Sequence, residues 1–217
     1  MPSSIISHQV PGLALKVKYP KIFDGSALMF GTFVPDLSLV IRRLIPFNFY
    51  SLSHSLLGQI LWSIPLGIIL TIIFSRYIAP FSAKLAKRTG IFSKPLRYFG
   101  VDQWSYLKNK KFNTRFWIVA SYSIMIGGIT HVLLDWPSHE FVQLFYPWTI
   151  FPNPDFLLYS LVNYGTISFG SYSFEANLTI FNLLWFLETL VTIPIFFFYL
   201  RCIKKDNLIK KWYESDG

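Results

Sequence analysis

From Leu56 to Ser75 the chain carries no charged residue, and the apolar run continues past Arg76 to Ile78. At about 1.5 Å of rise per residue a helix over 56–78 is long enough to cross a hydrocarbon layer of about 30 Å, and few soluble cores use such a run. Segments 116–135 and 180–200 have the same character, the latter interrupted only by Glu188. A fourth segment, 26–45, is apolar but broken at Pro35-Asp36 and closed by Arg42-Arg43, so a full crossing, a broken helix and a re-entrant piece all remain open for it. A mean hydropathy of +0.42 over 217 residues agrees with these runs. The expected fold is an all-α membrane protein. It is a single integral membrane domain over 1–217, a bundle of three or four transmembrane helices with an interrupted N-terminal segment.

The formal net charge of +9 suggests nucleic acid or anionic lipid until its distribution is read. Ten of the twenty basic residues fall between Arg76 and Arg115, five more follow the last run, and none lies between Asp135 and Arg201. The positive-inside rule then places the 76–115 loop and the C-terminus in the cytoplasm and the aromatic-rich 136–179 loop outside. The charge reports topology, with membrane lipids as partners and no nucleic acid. The outer loop is expected to form turns and short interfacial elements. Residues 1–24 lack the continuous apolar core of a cleavable signal, so the spans themselves direct insertion. Cys202 is the one cysteine, which excludes an intramolecular disulfide, and the sequon at Asn177-Leu-Thr is too common by chance to carry weight.

Histidines and carboxylates at membrane boundaries are costly unless they pair, hydrate or coordinate an ion, and every histidine here has polar or helix-breaking company. His8 follows Ser7, His54 sits between Ser53 and Ser55, and His131, Asp135 and His139 share H-V-L-L-D-W-P-S-H. His131 and Asp135 lie one turn apart on one helix face, about 6 Å along the axis, and can meet one ion. His139 is too far along a straight helix, but Pro137 favours a bend that can return it as a ligand, a partner of a ligand or a proton donor. The inferred topology carries His54, His131 and Asp135 to the outer boundary, and Asp36 as well if 26–45 crosses; the path of His8 does not follow from the sequence. A hydrogen-bonded structural cluster is the competing reading.

The opening M-P-S-S-I-I-S-H, G-T-F-V-P-D at Gly31 to Asp36, S-H-S-L-L-G at Ser53 to Gly58 and the His131–His139 motif resemble, in order and spacing, an uncharacterised prokaryotic family of multi-pass membrane proteins. That family is distantly similar to inner-membrane metal-dependent hydrolases and, more remotely, to helical zinc-dependent phospholipase C proteins. The resemblance implies His8, Asp36, His54, His131 and Asp135 as metal ligands. One position departs: the related hydrolases carry a second histidine five residues before the T-H-S histidine, where this chain has Phe49.

Mixed imidazole and carboxylate ligands suit Zn²⁺ best among divalent metals, with Mn²⁺ or Fe²⁺ as alternatives, and an open position lowers the pKa of a bound water to about 7. The expected function is therefore a membrane-embedded metal-dependent hydrolase, with Asp135 and His139 nearest the chemistry, acting on a lipid or lipid-linked ester or phosphodiester near the outer face. No nucleophile elbow, P-loop, dinucleotide fingerprint or C-x-x-C motif competes. Two other classes stand beside it: a non-catalytic scaffold or lipid-binding protein with a structural His/Asp cluster, and a small proton-coupled transporter relaying through Asp36, His131, Asp135 and Glu188.

Overall fold

The structure, a computed structural model, describes residues 4–41, 49–136, 142–148, 155–169 and 172–214. Its helices are α1 (Ser4–Ser7), α2 (Gln9–Lys18), α3 (Gly25–Ile41), α4 (Phe49–Ser53), α5 (Leu56–Gly58), α6 (Ile64–Ile73), α7 (Ala79–Ala86), α8 (Ser93–Tyr98), α9 (Thr114–Asp135), α10 (Ile180–Lys205) and α11 (Leu208–Glu214). Three continuous helices are long and apolar enough to cross a membrane: Leu56–Ala86, which joins α5, α6 and α7, then Thr114–Asp135 and Ile180–Lys205. Within the first, π-helical turns occupy Gln59–Ser63 and Phe74–Ile78, each followed closely by a proline, Pro65 or Pro80. A proline offers no N–H to the carbonyl four residues back and crowds it, and a widened turn just ahead of it absorbs the misfit without breaking the helix.

Within segment 26–45 the described residues form α3, which pairs with α2 in a helical hairpin. Its open ends lie at the His/Asp end of the bundle: His8 touches Asp135, and Asp36 lies beside His131. Its tip, residues 19–24, reaches the middle of α9, where the backbone N–H of Asp24 donates to Ser123 Oγ at 3.1 Å and the Tyr122 hydroxyl donates to the Ile22 carbonyl. From there α3 runs parallel to α9. Residues 42–45 lie outside the described residues.

The buried polar groups of this turn are satisfied within the protein. Here Lys16 Nζ donates to the carbonyls of Pro20 (2.8 Å) and Phe23 (2.9 Å). Asp24 caps α3, accepting from Ala27 N (3.0 Å) and Ser26 Oγ (2.7 Å), and its other oxygen lies 2.8 Å from Lys110 Nζ. Burial alone would raise the Asp24 carboxyl, but the Lys110 ammonium and these hydrogen bonds bring it down to about 2. For Lys16 burial prevails over the attraction of Asp24 and lowers the ammonium to about 8.

Small residues let α3 and α9 approach closely. A Cβ on Gly31 would stand 2.3 Å from the Ile124 carbonyl oxygen, and one on Gly127 2.4 Å from that of Leu28. α6 closes this pair from a third side, with Ala27, Ile68, Phe116, Ala120 and Ile124 forming the shared core. α10 packs on α2 through Leu13 and Ile203, with Leu208 of α11 completing that cluster, and turns much of its remaining surface outward, as lipid contact requires. At the basic end, Arg76 donates to the Lys108 carbonyl (3.1 Å) and joins the long helix to the 3-10 stretch Val101–Asn109.

The all-α expectation needs one correction. β1 (Ser160–Phe169) and β2 (Tyr172–Thr179) form an antiparallel two-stranded sheet in the aromatic loop. Tyr, Thr, Val, Ile and Phe favour extended backbone, but Gly165, at φ 78°, and a register shift between Asn163 and Thr166 break the alternation that would have announced the strands. Thr179, the last residue of the sequon, caps α10: its hydroxyl accepts from Asn182 N, and the Asn182 side chain accepts from Thr179 N.

Candidate metal centre

Four elements converge at one end of the bundle. His131 and Asp135 occupy the last turns of α9, where a one-turn spacing stacks their side chains. Asp36 comes from α3 immediately after Pro35, and His54 from the break between α4 and α5. Ser55 makes that break: its extended backbone and its Oγ, accepting from Gly58 N at 3.1 Å, start the long helix and leave His54 just outside it. His8 sits in the single-residue break between α1 and α2.

One ligand-type atom from each of Asp36, His54, His131 and Asp135 lies within 4.8 Å of the others. Asp135 Oδ2 is 3.1 Å from His131 Nε2 and 3.5 Å from His54 Nε2, and Asp36 Oδ1 is 3.5 Å from His54 Nε2 and 3.7 Å from His131 Nε2. Ligand bonds of 2.0–2.1 Å arranged tetrahedrally put neighbouring donor atoms about 3.3 Å apart, close to this spacing. Among the described residues the two Nε2 atoms make no hydrogen bond of good geometry, although both are fully buried.

The ring of His54 is oriented by its surroundings. Nδ1 lies 3.1 Å from the Tyr50 carbonyl, which can only accept, so Nδ1 carries a hydrogen and Nε2 is the nitrogen that faces the carboxylates. Ser53 Oγ, 3.0 Å from the same nitrogen, donates to that carbonyl as well, and the Tyr50 ring stacks on the imidazole at 4.1 Å. His8 stands one step further out. Its Nε2 meets Oδ1 of Asp135 at 3.1 Å, and its ring lies edge-on to His131 at 4.3 Å between centroids.

His54, His131 and Asp135 are sealed from solvent, whereas the Asp36 side chain keeps 17% of its surface exposed and marks the open side. His139 lies outside the described residues. Glu188, half-buried on α10, is close enough to His8 for their charges to interact. Its backbone carbonyl accepts from Thr192 Oγ1 (2.6 Å), whose oxygen lies 2.8 Å from Ser7 Oγ, tying α10 to the residue before His8.

Sequence reasoning missed Gln59 and Gly128. Gln59 Nε2 donates to the carbonyls of Ser53 (3.0 Å) and Ser55 (3.2 Å), clamping the turn that bears His54 from both sides. Its Oε1 lies against Gly128 of α9, where a Cβ would stand only 1.9 Å away. A glutamine inside an apolar run was the available signal, since burial of its amide at membrane depth demands a partner.

Buried imidazoles and carboxylates gathered at the end of a helical bundle of membrane-length helices define a membrane-type protein with a candidate metal centre. The family follows from the sequence as a whole: residues 1–208 match the model of DUF4184, a domain of unknown function, and the chain belongs to that family. No curated protein and no solved structure matches it.

Proposed function

We propose that this protein is a membrane-embedded metal-dependent hydrolase whose site opens at the outer face and acts on an ester or phosphodiester of a lipid or lipid-linked molecule. The observation that carries the reading is the convergence of Asp36, His54, His131 and Asp135 within 4.8 Å, with His54 Nε2 turned toward both carboxylates. Two imidazoles and two carboxylates suit Zn²⁺ best, and such a cation supplies Lewis-acid polarisation and a more acidic water. Asp36, His54, His131 and Asp135 hold it. His8 orients Asp135 from its second oxygen, so that its contribution passes through that carboxylate. Asp36, on the exposed side, borders the approach of substrate, and His139, two residues after Pro137 in the sequence, is the proton donor. The basic 76–115 loop and tail set the orientation, with the C-terminus cytoplasmic and the cluster outside.

Elemental analysis of the full chain purified in detergent without chelator tests the reading. About one equivalent of a divalent metal in the wild type and a sharp fall in Asp135→Asn are expected. Equal trace metal in both, with both proteins folded, would replace the hydrolase by a structural His/Asp cluster.

A further inference from the structure

Below the His/Asp cluster the α2–α3 hairpin stands clear of the long helices on one side, leaving two apolar cavities that share Ser26, Met29, Phe74 and Trp104 and so form one slot. The upper part, about 240 Å³, begins at Ile6 and Gln9, the residues flanking Ser7 and His8, and descends between Phe33 of α3 and Phe196 of α10. The lower part, about 70 Å³, passes Leu13 and Leu200 and ends under the hairpin tip against Leu107 and Ile203. From Gln9 to Lys16 alone α2 spans about 10 Å.

Two lysines border the lower end, yet neither offers its charge to the slot. Lys16 Nζ is held by the Pro20 and Phe23 carbonyls and Lys204 Nζ by the Arg97 carbonyl. Their methylene stems form the wall instead, that of Lys16 against Gly25 and that of Lys204 against Gly100. The Gln103 amide nitrogen is likewise engaged, by the Lys204 carbonyl and Asn207 Oδ1. A headgroup finds no free cation there, and an uncharged chain does not need one. Buried amide oxygens without a hydrogen-bond partner among the described residues stand at both ends, Gln103 Oε1 below and Gln9 Oε1 above, the upper one beside the histidine that touches Asp135.

We propose that this slot holds the hydrocarbon tail of a membrane lipid, its terminal methyl toward Leu107 and Ile203 and its polar end toward His8 and the His/Asp cluster. The direction of the tail rests on the hydrolase reading; occupancy of the slot does not. The substrate class that follows is a lipid with a long, flexible chain, acyl or isoprenoid, gripped along its length while its polar linkage reaches the centre. Phe74 and Phe196, on two membrane-length helices, stand at the slot where such a chain would enter from the surrounding lipid.

The test uses the full chain in phosphatidylglycerol–phosphatidylethanolamine vesicles doped with a phospholipid bearing a diazirine midway along one acyl chain, with adducts mapped by mass spectrometry. Adducts on Met29 and on Trp104, which lies on the 3-10 stretch and on no membrane-length helix, are expected beside the unavoidable ones on exposed Ile118 and Leu190. Met29→Trp, or Phe196→Trp from the opposite wall, should cut the Trp104 adduct roughly tenfold, the loss for about two displaced methylenes, and leave Leu190 unchanged. Asp135→Asn should label as the wild type does, so slot and centre fail separately. Adducts confined to Ile118, Leu190 and similar exposed faces in the wild type would overturn the slot whatever the metal content, and slot adducts in a metal-free protein would uphold it while removing the hydrolase.

Discussion

Asp135 meets a histidine through each carboxylate oxygen: Oδ1 lies 3.1 Å from His8 Nε2 and Oδ2 lies 3.1 Å from His131 Nε2. One carboxylate thus joins the N-terminal segment to α9. His8→Gln should preserve the fold and lower metal affinity by about 10–100-fold, the usual effect of removing a group that orients a ligand. Asp135→Asn should lower it further, because the anionic donor itself is lost. Competition with a metal-selective chelator ranks the two variants, and equal affinities for His8→Gln and wild type would leave the His8 contact without a role in binding.

Gly128→Ala places a methyl where Gln59 Oε1 now lies, at 1.9 Å from it. The glutamine must swing away, releasing the Ser53 and Ser55 carbonyls, so the variant should be destabilised by about 1–3 kcal/mol and lose metal as well. Gln59→Ala in the Gly128→Ala background should recover part of the stability without recovering metal. Thermal unfolding in detergent and metal content are the two readouts.

Lys110→Met strands the buried Asp24 carboxylate at the hairpin tip and should cost about 3–5 kcal/mol, whereas Lys110→Met combined with Asp24→Asn should recover much of it. The Asp24 carboxyl is depressed from 3.8 to about 2, so its contribution is complete above about pH 4 and disappears as pH falls toward 2. Lys16 acts in the opposite range. Its ammonium is lowered from 10.5 to about 8, so folding carries the full cost of the buried charge below pH 8 and is relieved between 8 and 10.5. Chemical denaturation across both windows, with Asp24→Asn and Lys16→Met as controls, measures each slope.

In a Cys202→Ala background, cysteines placed at exposed Ser160 and exposed Lys94 should react oppositely with an impermeant thiol reagent on intact cells, Ser160 modified and Lys94 spared. The reverse pattern would put the His/Asp cluster on the cytoplasmic side.

Much of the site was legible because helical spacing is local. His131 and Asp135 needed only the period of α9, and His54 only the start of the next long run. The three membrane-length helices likewise follow from composition over contiguous residues. What stayed hidden depends on contacts between distant residues. Nothing near Asp24 announces that Lys110, 86 residues away, completes its cap, so for residues 26–45 a full crossing, a broken helix and a re-entrant piece all stayed open. His8 could not be routed to the site for the same reason, since α2 is placed by its packing on α3 and α10. The β-hairpin was missed because Gly165 and its register shift interrupt the period of two on which strand recognition relies.

The hairpin has a consequence for biogenesis. Its tip is completed by Ser123 and Lys110, which leave the ribosome long after residues 9–41. Until they arrive, Asp24 keeps its local bonds from Ala27 N and Ser26 Oγ but lacks the Lys110 ammonium that balances its buried charge. The N-terminal forty residues, which bring His8 and Asp36, therefore take their final seat only after α9 is in place. Seating them is the step that assembles the centre, so a truncated chain ending before α9 should integrate the 56–86 helix yet leave its N-terminal segment open to protease.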